Sequence, residues 1–148
     1  TAVLKNINKN ITVIFTVSPV RHTKDGFTEN MRSKSHLISG IHQFLSKNIN
    51  NTYYFPSYEI MMDELRDYRF YKEDMIHPNK TAINYIWEKF MYVWLSEKTQ
   101  KDLLQVEEVQ KGLAHKPFNP NSEAHQKFLK KLAQKKETLL LAFPFMNF

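Results

Sequence analysis

The run Ile11-Thr-Val-Ile-Phe-Thr-Val17 is apolar and β-branched without polar alternation. That is the pattern of a strand covered on both faces, as in a parallel sheet. Pro19 ends it by removing a ladder donor, and Asp25-Gly26 marks a turn in the polar stretch that follows. From about Asn30 to Lys47 the apolar residues Leu37, Ile38, Ile41, Phe44 and Leu45 recur at helical spacing. Thr52-Tyr-Tyr-Phe55 then predicts a second strand stopped by Pro56, with Ser57 placed to cap a short helix through Glu64. Strand, helix, strand, helix is an α/β order.

Arg66 to Asn79 is an irregular, charged and aromatic loop, with Pro78 just ahead of a helix from about Lys80 to Leu95. Ile83, Ile86, Trp87, Phe90, Val93 and Trp94 give that helix a broad apolar face, expected to be buried. After Ser96 the pattern changes to a polar helix over 97–110 with a thin stripe of Leu103, Val106 and Val109. Lys116-Pro-Phe-Asn-Pro120 is a linker, and a basic amphipathic helix follows over 122–136. The apolar end, Thr138 to Phe148, must pack on the domain, on a partner or on chain outside these residues. The organisation read from this is an α/β part over 1–96 and a helical extension over 97–148. Two strands are few for an α/β sheet. The sheet is expected either to belong to a larger one or to be completed by the C-terminal segment.

Composition narrows the chemistry. The chain has 148 residues, long enough for a domain with its own core. Its three glycines build no phosphate-cradling loop, and the absence of cysteine removes disulfides, thiolate metal sites and a thiol nucleophile. The formal net charge of +6 raises nucleic-acid binding. Acids are interspersed throughout, however, and only Lys130, Lys131, Lys135 and Lys136 form a dense patch, which reads as a solvated helix face. The expectation is therefore no nucleic acid, no membrane span and no cofactor, with a cytoplasmic location unless an upstream leader exists.

The sharpest chemical candidate is Asp74-Met-Ile-His77, ahead of Pro78. Three-residue spacing in a turn lets the carboxylate accept the imidazole Nδ1–H, which fixes the tautomer and leaves Nε2 as a base. The plainer alternative has Asp74 capping its turn while His77 packs or faces solvent. Ser18-Pro-Val-Arg-His22 closes the first strand, where α/β sheets bind ligands. Arg21 and His22 there suit an oxyanion or a carboxylate, or else Arg21 pairs with an acid between Asp63 and Asp67. Glu59, Asp63, Glu64 and Asp67 read as a self-paired surface rather than glycosidase carboxylates. His36 and His42 are six residues apart and share no ligand face, so no metal site is expected.

Several uncommon strings occur here in order: Thr16-Val-Ser-Pro-Val-Arg-His22, Asp25-Gly26, Ser33-Lys-Ser-His-Leu37, Tyr54-Phe-Pro-Ser-Tyr-Glu-Ile60, Asp63 to Tyr71, and Asp74-Met-Ile-His-Pro78. Over about residues 11–95 the chain thereby resembles the GSCFA family, which is similar to SGNH/GDSL hydrolases. The resemblance implies part of a flavodoxin-like, three-layer α/β sandwich with parallel strands and a Ser-His-Asp site. It places Asp74 and His77 as the catalytic pair, and Ser18, Arg21 and His22 at the pocket for substrate. The implied activity is that of an esterase or acyltransferase on a small-molecule, glycan or lipid ester. The family's Gly-Ser-Cys-Phe-Ala string, expected to hold the nucleophile, has no counterpart, since the chain lacks Cys and no glycine precedes a serine. A C-terminal portion, inactive alone, is therefore expected. The alternative is a non-catalytic interaction module, docking or self-associating through the basic helix and apolar end.

Overall fold

The structure, a computed structural model, describes residues 2–148. The chain divides into two compact units, the first ending at Phe90 and the second comprising Met91–Phe148.

In the first unit, α1 (Ala2–Ile7) leads to β1 (Val13–Thr16), α2 (Phe27–Leu45) and β2 (Thr52–Phe55). The two strands pair in parallel, with Val13 opposite Thr52 and Thr16 opposite Phe55. This is a mixed α/β unit whose described sheet has two strands. Its C-terminal segment supplies no third strand, because that end of the chain is helical. With so small a sheet, β1 is only half-buried up to Phe15, and Val17 just beyond it is fully buried. The two-sided cover expected from its composition is thus incomplete. The same shortage explains α4 (Lys80–Trp94), where Ile83 and Trp87 of this unit are exposed and Ala82 is the buried residue; Val93, in the second unit, is exposed as well. A wide apolar helix face needs an equally wide surface to lie on.

Ser57 does not cap. Pro56 holds the cap position and Ser57 opens α3 (Ser57–Glu59) from inside. Its buried hydroxyl donates to the Val17 carbonyl at 2.8 Å and lies 2.7 Å from the Thr16 hydroxyl, tying the end of β1 to the start of the helix. The helix then widens to π geometry over Ile60–Leu65 and stops at Arg66, whose N–H bonds back to the Met61 carbonyl. Arg66 is left-handed, at φ 44° and ψ 20°. Met61 and Leu65 pack with Ala82 of α4 to form the core beneath the following loop, flanked by Phe70, Tyr71 and Ile86.

The second unit includes α5 (Glu97–Ala114) and α6 (Glu123–Ala142), each longer at its C-terminal end than the apolar stripe predicts. Ser96 and Ser122 cap them, accepting from the N–H of Thr99 and His125 at 3.2 Å each. The helices meet through Val109, Leu132 and Leu139, and Phe143 and Phe148 fold back onto this core. Part of the apolar C-terminus is therefore covered by its own hairpin, whereas Leu141 and Phe145 remain exposed.

Candidate active site

The loop between the Tyr68–Phe70 turn and α4 is built as a closed finger. Tyr71 and Pro78 form an antiparallel bridge, Lys72 N–H bonds the His77 carbonyl at 2.8 Å, and Asn79 N–H bonds the Phe70 carbonyl at 2.8 Å. Asn79 ties its base to α4. The Asn79 amide donates to the Arg69 carbonyl at 2.6 Å, and its oxygen accepts from Ala82 N–H at 3.1 Å. The tip turns back at Met75, which holds φ 56°. Few non-glycine residues adopt that conformation.

Within the finger the Asp74 carboxylate is divided between two tasks. Oδ1 accepts from Ile76 N–H at 2.8 Å and His77 N–H at 2.9 Å, and Oδ2 lies 2.7 Å from His77 Nδ1. Asp74 therefore caps its turn and contacts the imidazole at the same time. The backbone N–H bonds from His77 and Ile76, followed by the imidazole, hold its carboxyl down at about 2. Asp74 is thus ionised at neutral pH and suited to accept the Nδ1 proton, which leaves Nε2 as the basic nitrogen. Both side chains are about half exposed, at 43% for Asp74 and 53% for His77.

Arg21 reaches this finger from the end of β1. Its backbone N–H donates to the Ile76 carbonyl at 3.1 Å, and Nη1 donates to the Met75 carbonyl at 3.2 Å. Its guanidinium lies over the rings of Phe27, Tyr68 and Tyr71 at 5.2 to 5.8 Å. Among the described residues it makes no ion pair with Asp63, Glu64 or Asp67. Glu64 is committed to Lys89 at 2.6 Å and Asp67 to Arg69 at 3.3 Å, and Asp63 makes no ion pair among the described residues. Arg21 is the residue that fastens the finger to the strand end.

The other two sequence candidates lie differently. Ser18 Oγ accepts from Val20 N–H at 3.2 Å, and the Ser18 carbonyl takes the buried Lys34 ammonium at 2.6 Å. Burial lowers the pKa of Lys34. His22 donates its backbone N–H to Asn30, but its imidazole lines a separate hollow with Glu29, Ser33 and His36. Its Nδ1 is 3.9 Å from Asp25, too far for a hydrogen bond. The structure thus brings Asp74, His77 and Arg21 together and leaves Ser18 and His22 outside that group.

Two hollows flank Arg21. One, open and about 520 Å³, is lined by Asp74, Met75, Ile76, Thr23, Phe27 and Tyr68 besides Arg21. The other, about 250 Å³, lies between α2 and the π-helical segment, with Tyr58, Met61, Met62 and Arg66 in its wall. Sequence reasoning did not find these wall residues. Their only signal was the aromatic and methionine content of two segments that otherwise read as core. Among the described residues no group of His, Asp and Glu is arranged to hold a metal ion, and no helix is long and apolar enough to cross a membrane.

These features define an α/β unit with an Asp–His finger beside its strand end, accompanied by a helical hairpin. The chain belongs to the GSCFA family, whose family model matches residues 1–90. The C-terminal domain of the GSCFA domain protein matches residues 106–148, over α6 and the second half of α5. Neither the curated proteins nor the solved structures gave a match.

Proposed function

We propose that Asp74 and His77 are the orienter and general base of a Ser-His-Asp site in an SGNH-like esterase or acyltransferase, with the nucleophilic serine outside these residues. The single observation that carries this is the 2.7 Å contact between His77 Nδ1 and an Asp74 carboxylate already fixed by two backbone N–H groups. That anchoring fixes the imidazole tautomer before any substrate arrives. His77 Nε2 would take the serine proton as the hydroxyl attacks the ester carbonyl, and return it to the leaving alcohol. Asp74 would stabilise the imidazolium between those two steps. The parallel pair β1 and β2 would then be part of the larger three-layer sandwich, with Arg21 as a positioning residue that fastens the finger to the strand end.

The test is hydrolysis of a short-chain activated acyl ester by a longer protein that restores the upstream family residues. Activity that falls at least about a hundredfold with His77→Ala supports the reading. A folded longer protein that is inactive, or indifferent to His77→Ala, overturns it.

A second reading is favoured by the exposed Phe118, Leu141 and Phe145 of the helical unit. It makes residues 97–148 a docking or self-association element. Unchanged oligomeric state and solubility on deletion of 116–148 would exclude it.

A further inference from the structure

The hollow between α2 and the π-helical segment has an apolar interior and a cationic rim. Met31, Met61, Met62, Tyr58 and Tyr71 form its walls, and Arg21 and Arg66 are its cations. Its one acid, Asp67, is bonded to Arg69 through both its carboxylate oxygens. Arg21 spends Nη1 on the Met75 carbonyl, and a guanidinium carries five N–H donors in all. Arg66 makes no ion pair among the described residues. The local balance therefore favours an anion.

The backbone supports this independently. The wall is a π-helical segment that terminates in a left-handed arginine. Both are uncommon, a left-handed non-glycine residue costs on the order of 1–3 kcal/mol, and such features collect at functional sites. Met61, Met62 and Arg66 of this segment all line the hollow. Methionine walls adapt to ligand shape. At about 250 Å³ the space is below the usual range for a whole drug-sized ligand, so it suits a single small group. Arg21, Phe27 and Tyr68 also line the hollow that reaches Asp74, so the two spaces adjoin.

We propose that this hollow is a recognition subsite for a small aromatic or short acyl group bearing a carboxylate, with Arg66 and Arg21 binding the charge and the methionine and tyrosine side chains packing the body. Its use as the subsite of an acyl substrate rests on the esterase or acyltransferase reading; binding of the group does not.

The test uses 4-phenylbutyrate as probe, with 4-phenylbutylamine as its cationic counterpart, on the chain carrying methyl-labelled methionine. The expected result is saturable shifts of the Met31, Met61 and Met62 methyl signals with the carboxylate, and binding of the amine at least tenfold weaker. Arg66→Gln should weaken carboxylate binding about tenfold, the loss of one charged hydrogen bond. Arg32→Gln removes the same charge from the separate hollow near His22 and should leave binding unchanged. Absent shifts, equal binding of the amine, or equal weakening by the two variants overturns the subsite. Because the probe needs no nucleophile, its failure beside His77-dependent ester hydrolysis sinks the subsite alone. Probe binding with ester hydrolysis indifferent to His77→Ala sinks the catalytic reading alone.

Discussion

His77 Nδ1 and Asp74 Oδ2 are 2.7 Å apart, and the other oxygen of the same carboxylate holds the N–H groups of Ile76 and His77. The ring and the turn that carries it therefore share one anchor. Asp74 is held at about 2, below its ordinary 3.8. A carboxyl with a depressed folded pKa contributes stability that is complete above the unfolded value and is lost as pH falls through the folded one. The finger should stay intact at pH 5 and loosen between about 4 and about 2. Carboxyl titration by NMR should place Asp74 near the lower figure; a midpoint near 4 would contradict the geometry. Asp74→Ala should speed amide exchange at Ile76 and His77 even at neutral pH.

Met75 at φ 56° turns the tip of the finger. A β-branched residue fits that conformation worse than Met. Met75→Val should cost about 1–2 kcal/mol, and Met75→Gly should be close to neutral because relief of strain offsets the added freedom of the unfolded chain. Urea midpoints of the three proteins check this, and equal values for Val and Met would show that the tip is not left-handed.

Ser57 joins β1 to the helix that forms the pocket wall. Ser57→Ala leaves the buried end of β1 without its hydroxyl donor to Val17 and should cost about 1–3 kcal/mol. Chemical denaturation measures it. A loss no larger than that of an exposed serine such as Ser35→Ala would remove Ser57 from this role.

In the helical unit, a Cβ on Gly112 would stand 2.5 Å from Leu132 Cδ1. Leu132 is buried between Val109 and Leu139 and cannot swing away freely. Gly112→Ala should lose about 1–3 kcal/mol to overpacking, offset by up to about 1 kcal/mol of helix propensity. The same change in a Leu132→Val background should be less damaging. A double-mutant cycle with no coupling would refute the close approach.

The order of elements was legible in the sequence because it depends on short-range rules. Proline and the Asp25-Gly26 turn bounded the first strand, and apolar periodicity marked the helices. The Asp74–His77 contact was one of two readings that the spacing of three left open, and the family resemblance favoured it.

The misreadings were about burial and partners. Apolar stripes on α4 stated what could be buried, but the described two-stranded sheet offers too little surface to cover Ile83 and Trp87. Ser57 had the chemistry of a cap and used its hydroxyl on a strand 40 residues away instead. Arg21 could have met an acid or a substrate, and only the folded chain placed it against the Met75 carbonyl and three aromatic rings.

The sequence by itself determined the α/β order and the helical C-terminal part, both set by neighbours a few residues apart, and left the Asp–His pair as one of two readings. Tertiary structure alone decided the π-helical wall, the left-handed Arg66, the hollow beside Arg21, and the separation of Ser18 and His22 from the finger. Those depend on which segments distant in the chain come into contact. Periodicity and local propensity do not encode that choice.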